Sequence, residues 1–374
     1  MDSAGAIAKK DVTRLKPLDG MRGLAALAVA VFAHYQHFGG DPHTYPWADA
    51  TVTSWLYGHS WAFVDFFFLL SGIVLTYRYL EPISRGRLGR REFFVLRLSR
   101  LYPLQLLTLS VCAAAQWRCL VLHKPEIIYD HSNLYNFFLH LVYLNSGGFE
   151  EAWTYDSPSW SVAVEVSAYL LFFIYASKSR ETYITASICT VVAGIAIIRM
   201  GWMLPILNSN MARGMIGFFV GSFIFLIIGH LKKLGGGRRL AGGGFVAMVV
   251  VFALTYSIGY DKFVGGTTLP LLFVIFPLVI LSGLEIPIFA RILSLRPLTF
   301  LGDLSYAVYL VHVPVQMVMI SIMRERNQSA PVASKWFFFE FIMIVLVVAT
   351  LVHKLFEVPM RQWMRARLKS TQPA

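Results

Sequence analysis

Residues 18–38 read LDGMRGLAALAVAVFAHYQHF. Arg22 precedes a long apolar run, and two histidines, His34 and His37, close it. A membrane-spanning helix needs about 20 mostly apolar residues, so the stretch has the length of one span. Its ionisable ends have two readings: they are membrane punctuation, or they are part of a reaction site. The rest of the chain decides the class first. The protein has 374 residues, of which 56% are hydrophobic, 15% aromatic and only 14% charged, with a mean hydropathy of +0.59. A soluble domain carries about 25% charge. Long uncharged stretches recur from end to end, which predicts an all-α, polytopic membrane protein.

The net charge of +12 would point to nucleic acid in a soluble protein. Here Arg and Lys cluster in short loops between apolar runs, a pattern that orients membrane segments, and no nucleic-acid partner is expected. Spans are predicted near 20–39, 61–80, 100–121, 159–177, 182–199, 212–231, 241–259, 267–284, 299–322 and 335–356. The piece 133–145 is too short to cross and reads as a re-entrant or interfacial helix. With that piece excluded, basic loops alternate with the Lys- and Arg-free loops 40–60 and 147–158. The result is about ten spans in a cell (inner or plasma) membrane, with both termini cytoplasmic. No cleavable leader is expected. The chain reads as one membrane domain over 1–374, with a short N-terminal segment (1–17), a C-terminal tail (358–374), and lipid as its surroundings. Cys112, Cys119 and Cys189 have no CxxC spacing and read as small buried residues, so no metal site is expected.

Ionisable groups at membrane depth are costly and by default mark function. Arg22 is either a snorkelling anchor or a site cation, and His34 and His37, at i and i+3, share a helix face. Asp65, in the aromatic run SWAFVDFFFLLSG, is either a partner for a cation or a site residue. Arg97 and Arg100 are either topogenic charges or a phosphate cradle, because guanidinium binds phosphate bidentately. Glu165, one turn after Ser161 in SPSWSVAVEV, lies inside a span and needs a cation or a histidine to justify it. His312 shares a face with Ser305 and Tyr309, beside Tyr306. Arg213 opens the run RGMIGFFVGSF as an anchor or a pocket cation.

In chain order these segments resemble the membrane-bound acyltransferase 3 family. The resemblance rests on Leu18–His34, Phe66–Gly72, Arg97–Pro103, Trp160–Glu165, Arg213, Leu301–His312 and Glu357–Pro359, and covers nearly the whole chain. It implies about ten spans, a cytoplasmic acyl-CoA donor (usually acetyl-CoA), and transfer to a hydroxyl, often on a carbohydrate or glycoside outside. It also implies that the histidine of an Arg-x10-His motif is the base, which maps to His34. Some relatives carry a fused hydrolase-like domain, and this chain resembles the stand-alone type. One departure matters. The family spacing of eleven steps turns about 1100° and keeps Arg and His on one face, whereas Arg22 to His34 is twelve steps, an offset of ~120° at ~100° per residue. A π-bulge, a non-helical lead-in around Arg22, or chemistry at His37 would each resolve it.

The expected mechanism follows from chemistry. A neutral imidazole takes the proton of the attacking hydroxyl, and Glu165 or Asp65 orients it. A tyrosine, serine or arginine stabilises the oxyanion, and Arg22, Arg97 and Arg100 anchor the CoA phosphates. Arg213, Tyr306 and His312 are further donor-site candidates. The main alternative is a proton-coupled transporter using the intramembrane His, Asp and Glu residues, although no half-repeat is visible. A lipid-linked scaffold is the other. The acceptor, the acyl group beyond acetyl, and self-association as a homo-oligomer stay open.

Overall fold

The computed structural model describes residues 15–233, 243–247, 249–250 and 268–370. Among them the chain is all-α. Helix α1 (Lys16–Ala28) has a proline in its first turn, where the absent N–H costs nothing. It passes into a π-turn at Val29–Ala33 and ends at His34, whose φ of −107° and ψ of 4° leave the helix. A 3-10 turn, Tyr35–Phe38, follows. Then come α2 (Thr51–Ser84), α3 (Arg90–Val121), the short α4 (Leu134–Leu141), α5 (Ser157–Ala176), α6 (Arg180–Met200) and α7 (Ser209–Lys233). Helices α8 (Leu271–Glu285) and α9 (Pro287–Leu293) meet at 91°. The chain closes with α10 (Arg296–Glu325) and α11 (Lys335–Arg367).

By length and composition, seven of the described helices can cross a membrane, or eight if the bent pair α8–α9 forms one span. The expected ten are not reached among the described residues, for two reasons. The predicted span 241–259 lies mostly outside them. The first segment, expected over 20–39, is α-helical only to Ala28 and carries Lys16, Asp19 and Arg22 in its opening turns. The short piece inside 133–145 is α4, opened by Asn133, whose side chain accepts from the Asn136 N–H at 2.9 Å. Eight residues at ~1.5 Å each cannot span a bilayer. Leu134, Tyr135 and Phe138 are exposed while Leu139 and His140 are buried, so α4 is one-sided, as an interfacial helix is.

Helix association between lipid-facing elements relies on close backbone approach at small residues, and among the described residues two such crossings, α1 with α10 and α2 with α7, bear on the site. A Cβ on Gly23 of α1 would lie 2.6 Å from the Gly302 nitrogen of α10, and one on Gly302 would lie 2.2 Å from the Asp19 carbonyl oxygen. Farther along the same two helices His34 meets His312, so α1 and α10 run parallel. The second crossing joins α2 to α7: a Cβ on Gly72 would lie 1.9 Å from the Phe218 carbonyl oxygen, and one on Gly221 would lie 2.1 Å from that of Leu69. The first crossing leads to the meeting of His34 with His312, and the second joins the helices that carry Asp65 and Arg213.

Candidate active site

The π-turn at Val29–Ala33 settles how Arg22 and His34 are related along α1. An i→i+5 turn holds one residue more than an α-turn, so it absorbs the twelfth step between them. Arg22 itself lies within the regular helix rather than in a lead-in. Past the turn, His34 Nδ1 lies 3.0 Å from His312 Nε2. The His34 ring is 5.0 Å, centroid to centroid, from the His37 ring. Gln316, one turn beyond His312 on α10, donates its amide to the His34 carbonyl at 2.8 Å. Its amide oxygen lies 3.2 Å from His37 Nδ1, and His37 Nε2 lies 3.4 Å from the Tyr129 hydroxyl. His312 and Gln316 are fully buried.

A cavity lies beneath this cluster. Arg22, Phe67, Ser71, Arg97, Arg100, Ser161, Glu165, Ser305, Tyr306 and Tyr309 are among its walls. It approaches the histidines through Tyr309, whose ring centroid is 6.0 Å from that of His312. The Ser161 and Tyr309 hydroxyls are 2.8 Å apart and both bond the Pro158 carbonyl. Tyr306 donates to the Leu101 carbonyl at 2.6 Å. Glu165 accepts from Ser71 at 2.6 Å and from Tyr169, one turn along α5. Arg97, buried in α3, donates to Tyr169 at 3.2 Å and to Tyr79 at 3.5 Å, and its guanidinium covers both rings. The Glu165 charge and the Arg97 charge are thus joined through one tyrosine.

The cavity continues into a polar mouth, with Arg22, Val74 and Arg100 lining both. Arg78 and Arg361 bring the guanidinium groups there to four, facing Asp19, Asp303, Glu357 and His353. Buried Glu357 is held by His353 at 2.8 Å and by Arg361 at 3.5 Å. Arg22 also approaches Asp19 at 3.7 Å.

Asp65 and Arg213 form a separate pair. Arg213 donates through Nε at 3.1 Å and Nη2 at 3.2 Å to the two carboxylate oxygens of fully buried Asp65. The guanidinium lies over Trp61 and Trp160. The structure therefore brings His34, His37 and His312 together, and gathers Arg22, Arg97, Arg100, Glu165 and Tyr306 around the cavity below. Asp65 bonds Arg213 rather than an imidazole, and Glu165 bonds Ser71 and Tyr169. Sequence reasoning does not single out Gln316, Tyr169, Tyr129 or Arg78. For the first two a signal exists: each stands one helical turn after a candidate, His312 or Glu165.

In the loop before α5, Asp156 is fully buried. Thr108 donates to its Oδ2 at 2.6 Å, whereas Oδ1 has no partner. Burial pushes this carboxyl up to about 7, against about 4 when solvated. The folded state then binds more protons than the unfolded state between those values. Stability is therefore expected to fall as pH rises from about 4 to about 7 and to level off above. Thermal unfolding in detergent at about pH 5 and about pH 8 checks this. Asp156→Asn should flatten the difference, and an unchanged slope in that variant would contradict the assignment.

Comparison with known proteins bears on this geometry. A family model described as an acyltransferase domain matches residues 16–354. "Protein 2 in picA locus" of Rhizobium radiobacter is 36% identical over 113 residues, 30% of this chain and 51% of that protein. O-acetyltransferase OatA of Staphylococcus aureus (strain NCTC 8325 / PS 47) is 24% identical over 333 residues, 80% of this chain and 50% of that one. YrhL of Bacillus subtilis (strain 168), named as a candidate peptidoglycan O-acetyltransferase, is 24% identical over 383 residues, 92% of this chain and 54% of that one. The chain spans about half the length of these curated relatives. No solved structure matches.

Proposed function

The chain belongs to the acyltransferase 3 family, and from that premise we propose that it moves an acyl group, acetyl first among them, from acyl-CoA to a hydroxyl of a glycan or glycoside. The observation that carries the proposal is the continuity of the cleft: an arginine-lined mouth opens into a cavity that ends one tyrosine away from paired imidazoles. CoA is a polyphosphate joined to a long, mostly uncharged arm that ends in a thioester. Arg22, Arg78, Arg100 and Arg361 suit its phosphates, and the narrower, largely apolar interior suits the arm. Arg97 and Tyr169 keep Glu165 in place in the wall. Arg213 with Asp65 stiffens the α2–α7 contact rather than meeting the donor. The relatives' names, O-acetyltransferase OatA and the peptidoglycan activity given for YrhL, favour an acetyl donor and a glycan acceptor.

In the transfer itself, His34 is the base. Its Nδ1–H donates to His312 Nε2, leaving His34 Nε2 bare. That nitrogen takes the proton of the acceptor hydroxyl as the oxygen forms its bond to the thioester carbon. The carbonyl oxygen becomes an oxyanion, stabilised by the Tyr309 or Ser161 hydroxyl once it turns from the Pro158 carbonyl to donate to it. Collapse breaks the carbon–sulfur bond, and the departing thiolate receives the proton from the imidazolium. His312 here orients the base as a carboxylate does in a hydrolytic triad. With the basic mouth on the cytoplasmic side of the cell membrane, donor enters from the cytoplasm and acceptor reaches His34 from the opposite face.

The test is donor consumption by purified protein in lipid nanodiscs, with acetyl-CoA and a panel of glycan acceptors. Acceptor-dependent release of free thiol, with acetyl ester appearing on the glycan, is expected. Absence of transfer together with proton-coupled solute flux in liposomes would replace this reading by a transporter.

A further inference from the structure

Gln316 is fully buried, and both ends of its side-chain amide are engaged. One end faces the His34 main-chain carbonyl at 2.8 Å. A peptide carbonyl only accepts, so that end must be the nitrogen. The amide oxygen is then the end 3.2 Å from His37 Nδ1. An amide oxygen also only accepts, so Nδ1 is the ring nitrogen of His37 that bears hydrogen. In the neutral ring His37 Nε2 then holds a lone pair, 3.4 Å from the Tyr129 hydroxyl, which donates to it. The His34 carbonyl is reachable because the chain leaves the helix there; its other bond is a 3.1 Å contact from the His37 N–H.

We infer that Gln316 is a positioning residue for both histidines: it clamps the His34 backbone against α10 and holds His37 in the Nδ1–H form, so that His37 and Tyr129 make an acceptor–donor pair beside the base. The base assignment rests on the transfer reading given above, whereas the tautomer does not. An imidazole in the other tautomer would set Nδ1's lone pair against the amide oxygen, and a misplacement near 1 Å can cost about 100-fold in rate.

The experiment is nitrogen-15 NMR of histidine-labelled full-length protein in nanodiscs, with His37 signals identified by their loss in His37→Asn. Wild type is expected to show one protonated Nδ1 and one bare Nε2 at His37. In Gln316→Met, similar in length but without polar ends, the Nδ1–H form should lose its dominance, and turnover should fall by about 100-fold with the donor KM little changed. Gln316→Glu can still accept from Nδ1 but, ionised, cannot donate to the His34 carbonyl. It should therefore keep the tautomer and recover only part of the turnover. A wild-type spectrum with hydrogen on Nε2, or an unchanged tautomer in Gln316→Met, would overturn the inference. If Gln316→Met does not fold, the wild-type and Gln316→Glu spectra still decide it. Loss of the transfer reading would appear separately, as full activity in His34→Ala with the His37 spectrum intact.

Discussion

Replacing His34 with alanine is expected to lower acyl-transfer turnover by ~10²–10⁴-fold, the range of a lost general base. That range corresponds to about 2.7–5.4 kcal/mol of transition-state stabilisation. The donor KM should change little, because the arginine-lined mouth is set by α1, α2, α3, α10 and α11 and is unaffected by a ring at the far end of α1. The split between turnover and KM is therefore the informative quantity, read from initial rates of thiol release over a donor series. His37→Ala is the comparison. Its ring bonds Gln316 and Tyr129, while the His34 ring bonds His312, so its loss should cost less. Full activity in His34→Ala with none in His37→Ala would transfer the base to His37.

The second large effect concerns Asp65 and Arg213, and it is one of stability. Asp65 is fully buried, and its carboxylate is forked by one guanidinium. Removing the cation by Arg213→Gln leaves a buried anion without its partner, a change that costs about 3–5 kcal/mol. Total stabilities lie near 5–15 kcal/mol, so the variant should unfold at a markedly lower temperature in detergent. The double variant Asp65→Asn, Arg213→Gln removes both charges and should recover much of the loss. Strictly additive effects of the two single changes would show that the pair is not energetically coupled. A fully recovered double variant that still lacks transfer would give the pair a role in the reaction besides its structural one.

Much of this architecture is legible in the sequence because membrane burial leaves long apolar runs, and a run is read by counting. Thus α2, α3, α5, α6, α7, α10 and α11 fall where the runs are. The first segment resists that reading, since charge in its opening turns and a helix end at His34 are local departures from a plain apolar span. Its twelve-step spacing nonetheless marks an irregularity, because helical rotation is arithmetic, and the π-turn is one of the three resolutions that the spacing leaves open. Partners are harder. Nothing in SWAFVDFFFLLSG says that Asp65 meets Arg213 rather than a histidine, because that choice is made by the α2–α7 crossing. Gln316 escapes notice for a similar reason: a single amide on an apolar helix is unremarkable until the helix beside it ends and offers a carbonyl.

The glycine contact between α1 and α10 has a mechanical consequence. At Gly23 and Gly302 the two helices touch main chain to main chain, so nothing compressible separates them there. From that contact they run on together toward His34 and His312, roughly 15 Å farther along at ~1.5 Å per residue. The two helices behave as a caliper whose jaws are imidazole rings. Main-chain contact at one end sets how far apart the helices lie at the other, and so the reach over which His312 holds the His34 ring; a side chain at either glycine would widen it.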